Sequence, residues 1–429
     1  MEDEGFGFDD FSVEMQDFQV RRVGTFDRMW HFGPGGSISS GVIVRNGVAY
    51  FGCRDHFFYA LNPKNGKVIW KFGASDQVGG STPVIDDGTI YFGCYDYNMY
   101  ALDTKSGELK WKFKTEGEVG AQCCVDGNLV YFGSRDNTVY ALDKRTGKLA
   151  WKFRTSDEVA CVPTVCGNRL LIGSFDRNLY CLNKLSGELI WKFPTQGEIF
   201  SYSPFLAHEG VFYFGSFDNY LRAVDIESGR LIWRFLTGMY GMSSGPVLYR
   251  GILYQGCRDG ILYALTPEGK MKWKFVTRLM VIPVAAHNNR IYLGSGDYNL
   301  YCLDLSGKEL WRFPTQKDLI GQFTIHDGKI LFGSYDCHLY AVDLDSGSLA
   351  WKFRTQGSPC YVPPPFELFE VVFRTGEPEQ EEAKKHYDLN IEAGGEEREG
   401  AYKSRVTYQT STRYREKGKY QVDSREEEF

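Results

Sequence analysis

The amino-acid sequence predicts an all-β protein: an eight-bladed β-propeller of four-stranded antiparallel blades, with an extension at each end. Three observations carry this prediction. Nine tryptophans, Trp30, Trp70, Trp111, Trp151, Trp191, Trp233, Trp273, Trp311 and Trp351, recur at spacings of 40, 41, 40, 40, 42, 40, 38 and 40 residues, and each is followed two residues later by phenylalanine. The tetrad Gly-Ser/Cys-x-Asp occurs eight times, ending at Asp55, Asp96, Asp136, Asp176, Asp218, Asp259, Asp297 and Asp336. A turn glycine precedes the tryptophan of each repeat, from Gly66 to Gly347.

Each repeat reads as four short strands. In the third, Ala121–Val125 is the expected first strand, followed by an Asp126-Gly127 turn. Leu129–Gly133 is the second strand, Thr138–Asp143 the third and Leu149–Arg154 the fourth, with turns at Ser134-Arg-Asp136-Asn and at Thr146-Gly147. Short runs rich in β-branched and aromatic residues, punctuated by Asp-Gly and Ser/Thr-Gly, are the pattern of antiparallel hairpins. The turn glycine accepts the positive φ that a tight hairpin demands. The tetrad aspartates read as caps for nearby backbone N–H groups. Eight carboxylates are also eight potential ligands, but they sit in separate repeats.

In the fourth strand a cation lies between tryptophan and phenylalanine, as in Lys71, Lys112, Lys152, Lys192, Arg234, Lys274, Arg312 and Lys352. Period-2 alternation turns the aromatics inward and the cation outward, and a charge on an outermost strand discourages edge-to-edge pairing. A ring of cations invites comparison with a nucleic-acid surface, yet the net charge of −6 argues against nucleic acid as a partner. One blade cannot bury both its faces, so blades must stack and the ring must close. Trp30-His-Phe32 is a ninth copy of the fourth-strand motif with no repeat before it. It either joins the last blade or lies as an extra strand.

Gly-His and Trp-Asp dipeptides of WD40 repeats and the Gly-Gly pair of kelch repeats do not punctuate these units. The string Leu-Tyr-Ala-Leu-Asp-x-x-Ser/Thr-Gly-x-x-x-Trp-x-Phe-x-Thr resembles instead the quinoprotein (PQQ-like) repeat, best at Met99–Thr115, Val139–Thr155 and Leu339–Thr355. The resemblance spans roughly residues 24–360. It implies the propeller fold. It leaves function open, because the family holds quinone-dependent dehydrogenases as well as cofactor-free scaffolds such as an outer-membrane assembly lipoprotein. The resemblance also draws attention to Cys123-Cys124, since an adjacent cysteine pair sits above the cofactor in quinone-dependent alcohol dehydrogenases. Here the pair falls on an expected first strand, one side chain to each face, with no Asn/Asp/Glu cluster beside it that looks like a calcium site.

Residues 1–23 form an acidic tail with Phe6, Phe8, Phe11 and Phe18. It lacks the features of a signal peptide. Spaced aromatics in an acidic stretch suit either a plain disordered terminus or a short peptide that docks in a groove. No stretch approaches the ~18 apolar residues of a membrane span. Eleven cysteines without a secretion signal suggest a reducing, cytoplasmic setting, and no Cys-x-x-Cys supports a zinc site. Cys53, Cys94 and Cys257 stand where other repeats carry serine. The propeller is expected over residues 24–358. A proline-rich exit and charged linker follow over 359–400, and a hairpin-like docking tail over 401–429 with Tyr402, Val406, Tyr408, Tyr414 and Tyr420. An isolated hairpin is marginal in water, so this one needs a surface to lie on.

Loops that lead into the first strands converge on one face of a propeller. Seven residues after successive tryptophans they carry Ser37, Gln77, Glu118, Glu158, Glu198, Tyr240, Met280, Asp318 and Ser358. Three consecutive blades thus offer Glu118, Glu158 and Glu198. Close carboxylates raise one another's pKa or recruit a cation, while isolated ones are ordinary solvated loop residues. A face acidic on one side and apolar near Met239–Ser243 and Arg278–Pro283 looks more like a protein-docking surface than a catalytic pocket. The sequence therefore points to a cytoplasmic, non-enzymatic interaction scaffold without cofactor or metal, gripping a protein partner through its loop face and tails. The alternative is a small-molecule sensor or a quinone- or metal-dependent enzyme working in the funnel.

Overall fold

The computed structural model describes residues 18–22, 36–80, 82–355 and 369–373. The chain divides into two compact units, one of Met1–Arg21 with Glu370–Phe429 and one of Arg22–Phe369. Phe18–Arg22 pairs with Phe369–Phe373 in a two-stranded sheet of its own. Trp30, the linker and the tail residues Tyr402, Val406, Tyr408, Tyr414 and Tyr420 lie outside the described residues.

The second unit is the propeller. Eight four-stranded antiparallel sheets, each of four strands consecutive in sequence, make blades 1 to 8 at residues 43–73, 84–114, 124–154, 164–194, 206–236, 247–276, 281–314 and 324–354. No blade borrows a strand from another part of the described chain. In blade 3 the second, third and fourth strands run Leu129–Ser134, Thr138–Asp143 and Leu149–Arg154. The first strand is shorter than the residue pattern suggests and lies later, at Cys124–Asp126. Pairing reaches only from Asp126↔Leu129 to Cys124↔Tyr131. Ala121 and Cys123, although buried, sit upstream of the ladder. Every third-to-fourth strand pair carries a bulge, in blade 3 between Ala141 and Leu142. A bulge at this point strengthens local twist.

The tryptophan motif acts between blades. Each indole N–H donates to a carbonyl in the turn before the fourth strand of the next blade, at 2.8 to 3.3 Å. The last of these runs from Trp351 in blade 8 to Pro63 in blade 1 at 2.9 Å, so the ring closes with the same contact used at the other seven seams. Each ring also lies on the turn glycine of that next blade. These eight glycines have φ between 68° and 87°. A Cβ on any of them would come within 2.6 to 3.0 Å of the indole. Glycine is therefore required twice, by its backbone conformation and by the ring lying against it.

The phenylalanine two residues on packs edge-on against the third-strand tyrosine of the next blade, as in Phe113–Tyr140 and Phe153–Tyr180, and at the closing seam Phe353–Tyr59 at 5.7 Å. That tyrosine donates its hydroxyl to the tetrad aspartate of its own blade at 2.5 to 2.8 Å in seven blades. Asp96, Asp136, Asp176, Asp297 and Asp336 also accept a backbone N–H from the loop leaving the previous blade, for example Glu116 to Asp136 at 3.0 Å and Gln316 to Asp336 at 3.0 Å. Blade 5 replaces the tyrosine with Arg222, which grips Asp218 at 2.6 Å in a buried ion pair and also reaches Ser216 Oγ.

The double demand on the turn glycine gives a sharp contrast. Gly147→Ala is expected to destabilise the protein by about 2–4 kcal/mol, combining a left-handed alanine with overpacking against Trp111. Gly127→Ala, with φ 56° but nothing within 4 Å of the new methyl, is expected to cost only about 1–2 kcal/mol. Urea denaturation of both variants beside the wild type checks the difference. Equal losses would mean that the indole contact contributes nothing.

Candidate interaction funnel

The loops that enter the first strands and the tetrad turns meet on one face of the ring. The backbone fixes the pairing. The residue seven beyond each tryptophan accepts, through its carbonyl, the amide of the variable tetrad residue: Arg54 to Ser37, Tyr95 to Gln77, Arg135 to Glu118, Phe175 to Glu158, Phe217 to Glu198, Gly296 to Met280 and Tyr335 to Asp318. The loop into blade 6 departs from this register. There Arg258 donates to Gly241 rather than to Tyr240, and Tyr240 is held at φ 79°. A bulky residue in that conformation is strained. The tetrad serines and cysteines fasten the same loops, as when Ser174 donates to Glu158 O at 3.0 Å and Cys257 to Gly241 O at 3.2 Å.

Two of the three glutamates share one partner that the sequence did not announce. Arg135 contacts Glu118 Oε2 at 2.6 Å and Glu158 Oε2 at 3.6 Å. Burial raises the Glu158 carboxyl above its usual range. Arg135 opposes that shift, and Asp157, Glu118 and Glu198 add to it. Gln77, Glu118, Glu158, Glu198, Tyr240 and Asp318 are all half-buried at the funnel wall. Met280 is not at the rim. It is buried and packs with Ile282, Ile320, Tyr335 and Tyr202 in an apolar cluster contributed by blades 5, 7 and 8. Asp318 is pushed up to about 6, first by burial and further by Asp297, with Lys317 opposing.

Below this cluster of side chains the ring is bridged directly. The Gln322 amide of blade 8 donates to Gln122 Oε1 of blade 3 at 3.0 Å and to the Tyr202 carbonyl of blade 5 at 3.1 Å. A cavity of about 190 Å³ beside the bridge is lined by Pro204, Pro246, Ile282, Pro283, Gln322 and Phe323. The variable tetrad residues Arg54, Tyr95, Arg135, Phe175, Phe217, Arg258 and Tyr335 are the part of the funnel that sequence reasoning missed. Their signal was available, as the one changing position inside a tetrad whose other three places hardly vary.

Comparison with known proteins places this geometry in context. A family model described as outer membrane protein assembly factor BamB matches residues 23–122, 54–165, 135–279 and 258–364. Among solved structures, BamB from Moraxella catarrhalis is similar at TM-score 0.60 and 17% identity, over 73% of this chain and 98% of that one. The computationally designed Ika8 protein is similar at TM-score 0.63 and 15% identity, over 78% and 99%. The quinohemoprotein alcohol dehydrogenase ADHIIG from Pseudomonas putida HK5 is similar at TM-score 0.60 and 15% identity, over 76% and 72%. At these identities the likeness concerns the fold. The comparison with curated proteins gives no match.

The residues present do not suit a quinone with its metal. Side chains of blades 3, 5, 7 and 8 cross the middle of the ring. Among the described residues, no three His, Cys, Asp or Glu side chains come together to hold an ion. Cys123 is packed in the core shared by blades 2 and 3, while Cys124 is half-buried, and both thiols are free. Burial raises both above the ordinary thiol range.

Asp318 has a pH signature. Its folded pKa of about 6 lies above the unfolded value of about 3.9, so the folded state binds the extra proton. Its contribution to stability is full below about pH 4 and is lost as the pH rises through 6. Relative to Asp318→Asn, the wild type is expected to lose stability between pH 4 and pH 6 and to run parallel above pH 7, as measured by urea denaturation. Parallel curves throughout would show that the carboxyl is not enclosed.

Proposed function

The chain belongs to the PQQ-like propeller repeat family, and on that premise we propose that it is a cytoplasmic, non-enzymatic interaction scaffold whose funnel face docks a protein partner. One observation carries the reading. The funnel floor is crossed by linked side chains, with Gln322 bridging blades 3, 5 and 8 and a cavity of about 190 Å³ beside it. A face of that kind presents a fixed relief of charged and aromatic groups rather than a slot for a small molecule. The wall combines carboxylates at Glu118, Glu158 and Glu198 with exposed Met239 and half-buried Tyr240, a mixture that fits a docking surface with a polar rim. The matching family model bears the name of an assembly factor, which supports the same direction. Ten free thiols among the described residues support a reducing compartment. The tail with Tyr402, Val406, Tyr408, Tyr414 and Tyr420 is a second grip in this proposal.

Photo-crosslinking in native cells tests it. Crosslinker placed at Gln77, Glu198 or Tyr240 of the full chain should capture one and the same protein, while crosslinker at Lys192, on an outer strand, should not. A chain ending at Thr355 should yield less of that product. Capture from Lys192 alone, or a purified chain that keeps a stoichiometric metal or chromophore, would overturn the reading.

A further inference from the structure

The cavity beside the Gln322 bridge lies where the repeat is least regular. The interval from Trp191 to Trp233 is the longest, at 42 residues, and that from Trp273 to Trp311 the shortest, at 38. In blade 7 the first strand runs Val281–His287, seven residues against three in each other blade. Its pairing skips from Val281↔Ser295 to Val284↔Leu293, a bulge that bends the strand. In blade 6 the wall is reached at Gly245, where a Cβ would collide with the Pro204 carbonyl. The backbones of blades 5 and 6 therefore meet closely there.

Blade 6 also departs from the core pattern. The residue before the tetrad glycine is Phe, Ile or Leu in seven blades and Gln255 in blade 6, and all eight are fully buried. The Gln255 amide donates to the Ser244 carbonyl at 3.1 Å and to the Gly256 carbonyl at 2.6 Å, while its Oε1 has no partner. Ser243 and Ser244, each 3% exposed, likewise have hydroxyl oxygens without a partner. Enclosed oxygens left so are costly. These three adjoin the stretch that enters the cavity wall as Gly245, Pro246 and Val247. Two residues of the wall itself have bonding capacity in hand. Gln322 commits its amide N–H groups to Gln122 and Tyr202 and keeps its Oε1. Ser203 Oγ accepts the Gly245 N–H at 2.9 Å and keeps its own proton to donate. The rest of the wall is largely apolar, with Pro204, Ile282, Val284 and Phe323, and no charged side chain lines it.

We propose that this cavity binds a small neutral polyol built on one six-membered ring, a monosaccharide or a cyclitol. The inference goes beyond the docking function and does not rest on it. Size comes from the volume, since a cavity of roughly 150 Å³ takes one benzene ring and this one measures about 190 Å³. Neutrality comes from the wall, because an enclosed ligand charge would find no countercharge there. Hydroxyls come from the hydrogen-bonding groups: Gln322 Oε1 accepts one, Ser203 donates to another, and the unmet oxygens of Ser243, Ser244 and Gln255 favour a donor-rich guest on the blade 6 side. The C–H faces of the ring lie against proline, valine and phenylalanine, as apolar walls with a few placed polar groups require.

Isothermal titration calorimetry of the full-length chain with myo-inositol and with D-glucose tests the assignment. Saturable one-to-one binding of at least one of them is expected, insensitive to salt because no charge takes part. Ser203→Ala and Gln255→Leu should each weaken it about tenfold. Gln255→Leu installs the residue that Leu293 supplies in blade 7, so its core is expected to hold. Val284→Phe should fill the cavity and abolish binding, and Lys192→Ala, on an outer strand, should change nothing. Tryptophan fluorescence checks that each variant is folded. Where Val284→Phe unfolds, Ser203→Ala and Gln255→Leu decide. No binding of either polyol, wild-type affinity in both of those variants, or tighter binding of phenol than of either polyol would each overturn the proposal. Capture of a partner from the funnel face without polyol binding leaves the docking function standing and removes this site. Polyol binding without capture does the reverse.

Discussion

The contact on which the rest of the molecule depends is an indole laid on the glycine of the next blade. A single four-stranded blade exposes apolar surface on both faces and cannot stand alone. The tryptophan of each outer strand solves this locally. Its ring covers the neighbour's turn, its N–H satisfies a turn carbonyl, and the phenylalanine two places on wedges against the neighbour's tyrosine. Because Trp351 does to blade 1 what Trp311 does to blade 8, the closing seam needs no special strand exchange. The regular spacing of tryptophan along the chain follows from this, since every seam imposes the same geometry.

The tetrad aspartate extends the same logic to the loop face. It holds the tyrosine of its own blade and an amide from the loop leaving the blade before. Strand ends from two blades are thereby tied at one carboxylate. Blade 5 shows that the role and not the residue matters, for Arg222 meets Asp218 where other blades use a phenol. A buried ion pair of this kind offsets its desolvation only with further hydrogen bonds, and Arg222 has them from Ser216 Oγ and the Tyr220 carbonyl.

The blade count and the second, third and fourth strands were legible in the sequence because the residues that set them recur in every unit. The first strands were not, since apolar character at Ala121–Cys123 marks burial near the axis and says nothing of where ladder pairing stops. The register of the entering loops could be counted from tryptophan in seven units and slipped at Tyr240, where an extra residue is absorbed by a positive φ. Glu118 and Glu158 stood out as a series, but Arg135 did not. It belongs to a turn, 17 and 23 residues from its partners, and the folding of blade 3 and its stacking on blade 4 bring them together. Cys123-Cys124 reads in sequence as a strand pair with one side chain to each face, and the fold buries Cys123 in a core and leaves Cys124 half-buried.

A repeat protein of this kind leaves few positions free to acquire a function. Tryptophan, turn glycine, aspartate and tyrosine are committed to the seams, and the outer strands need their cations. What remains is the variable tetrad residue and the loop residue whose carbonyl it contacts, one pair per blade, all delivered to the same face. Rigidity makes those pairs valuable, because a side chain anchored between two blades loses little further freedom when something binds. The pairs are not interchangeable here. Arginine stands on an aromatic from the previous blade in three of them, aromatics fill blades 4 and 5, and glycine opens blade 7. Eight nearly identical blades thus present an asymmetric floor. That asymmetry, absent from the scaffold itself, is where selection for a ligand would leave its mark.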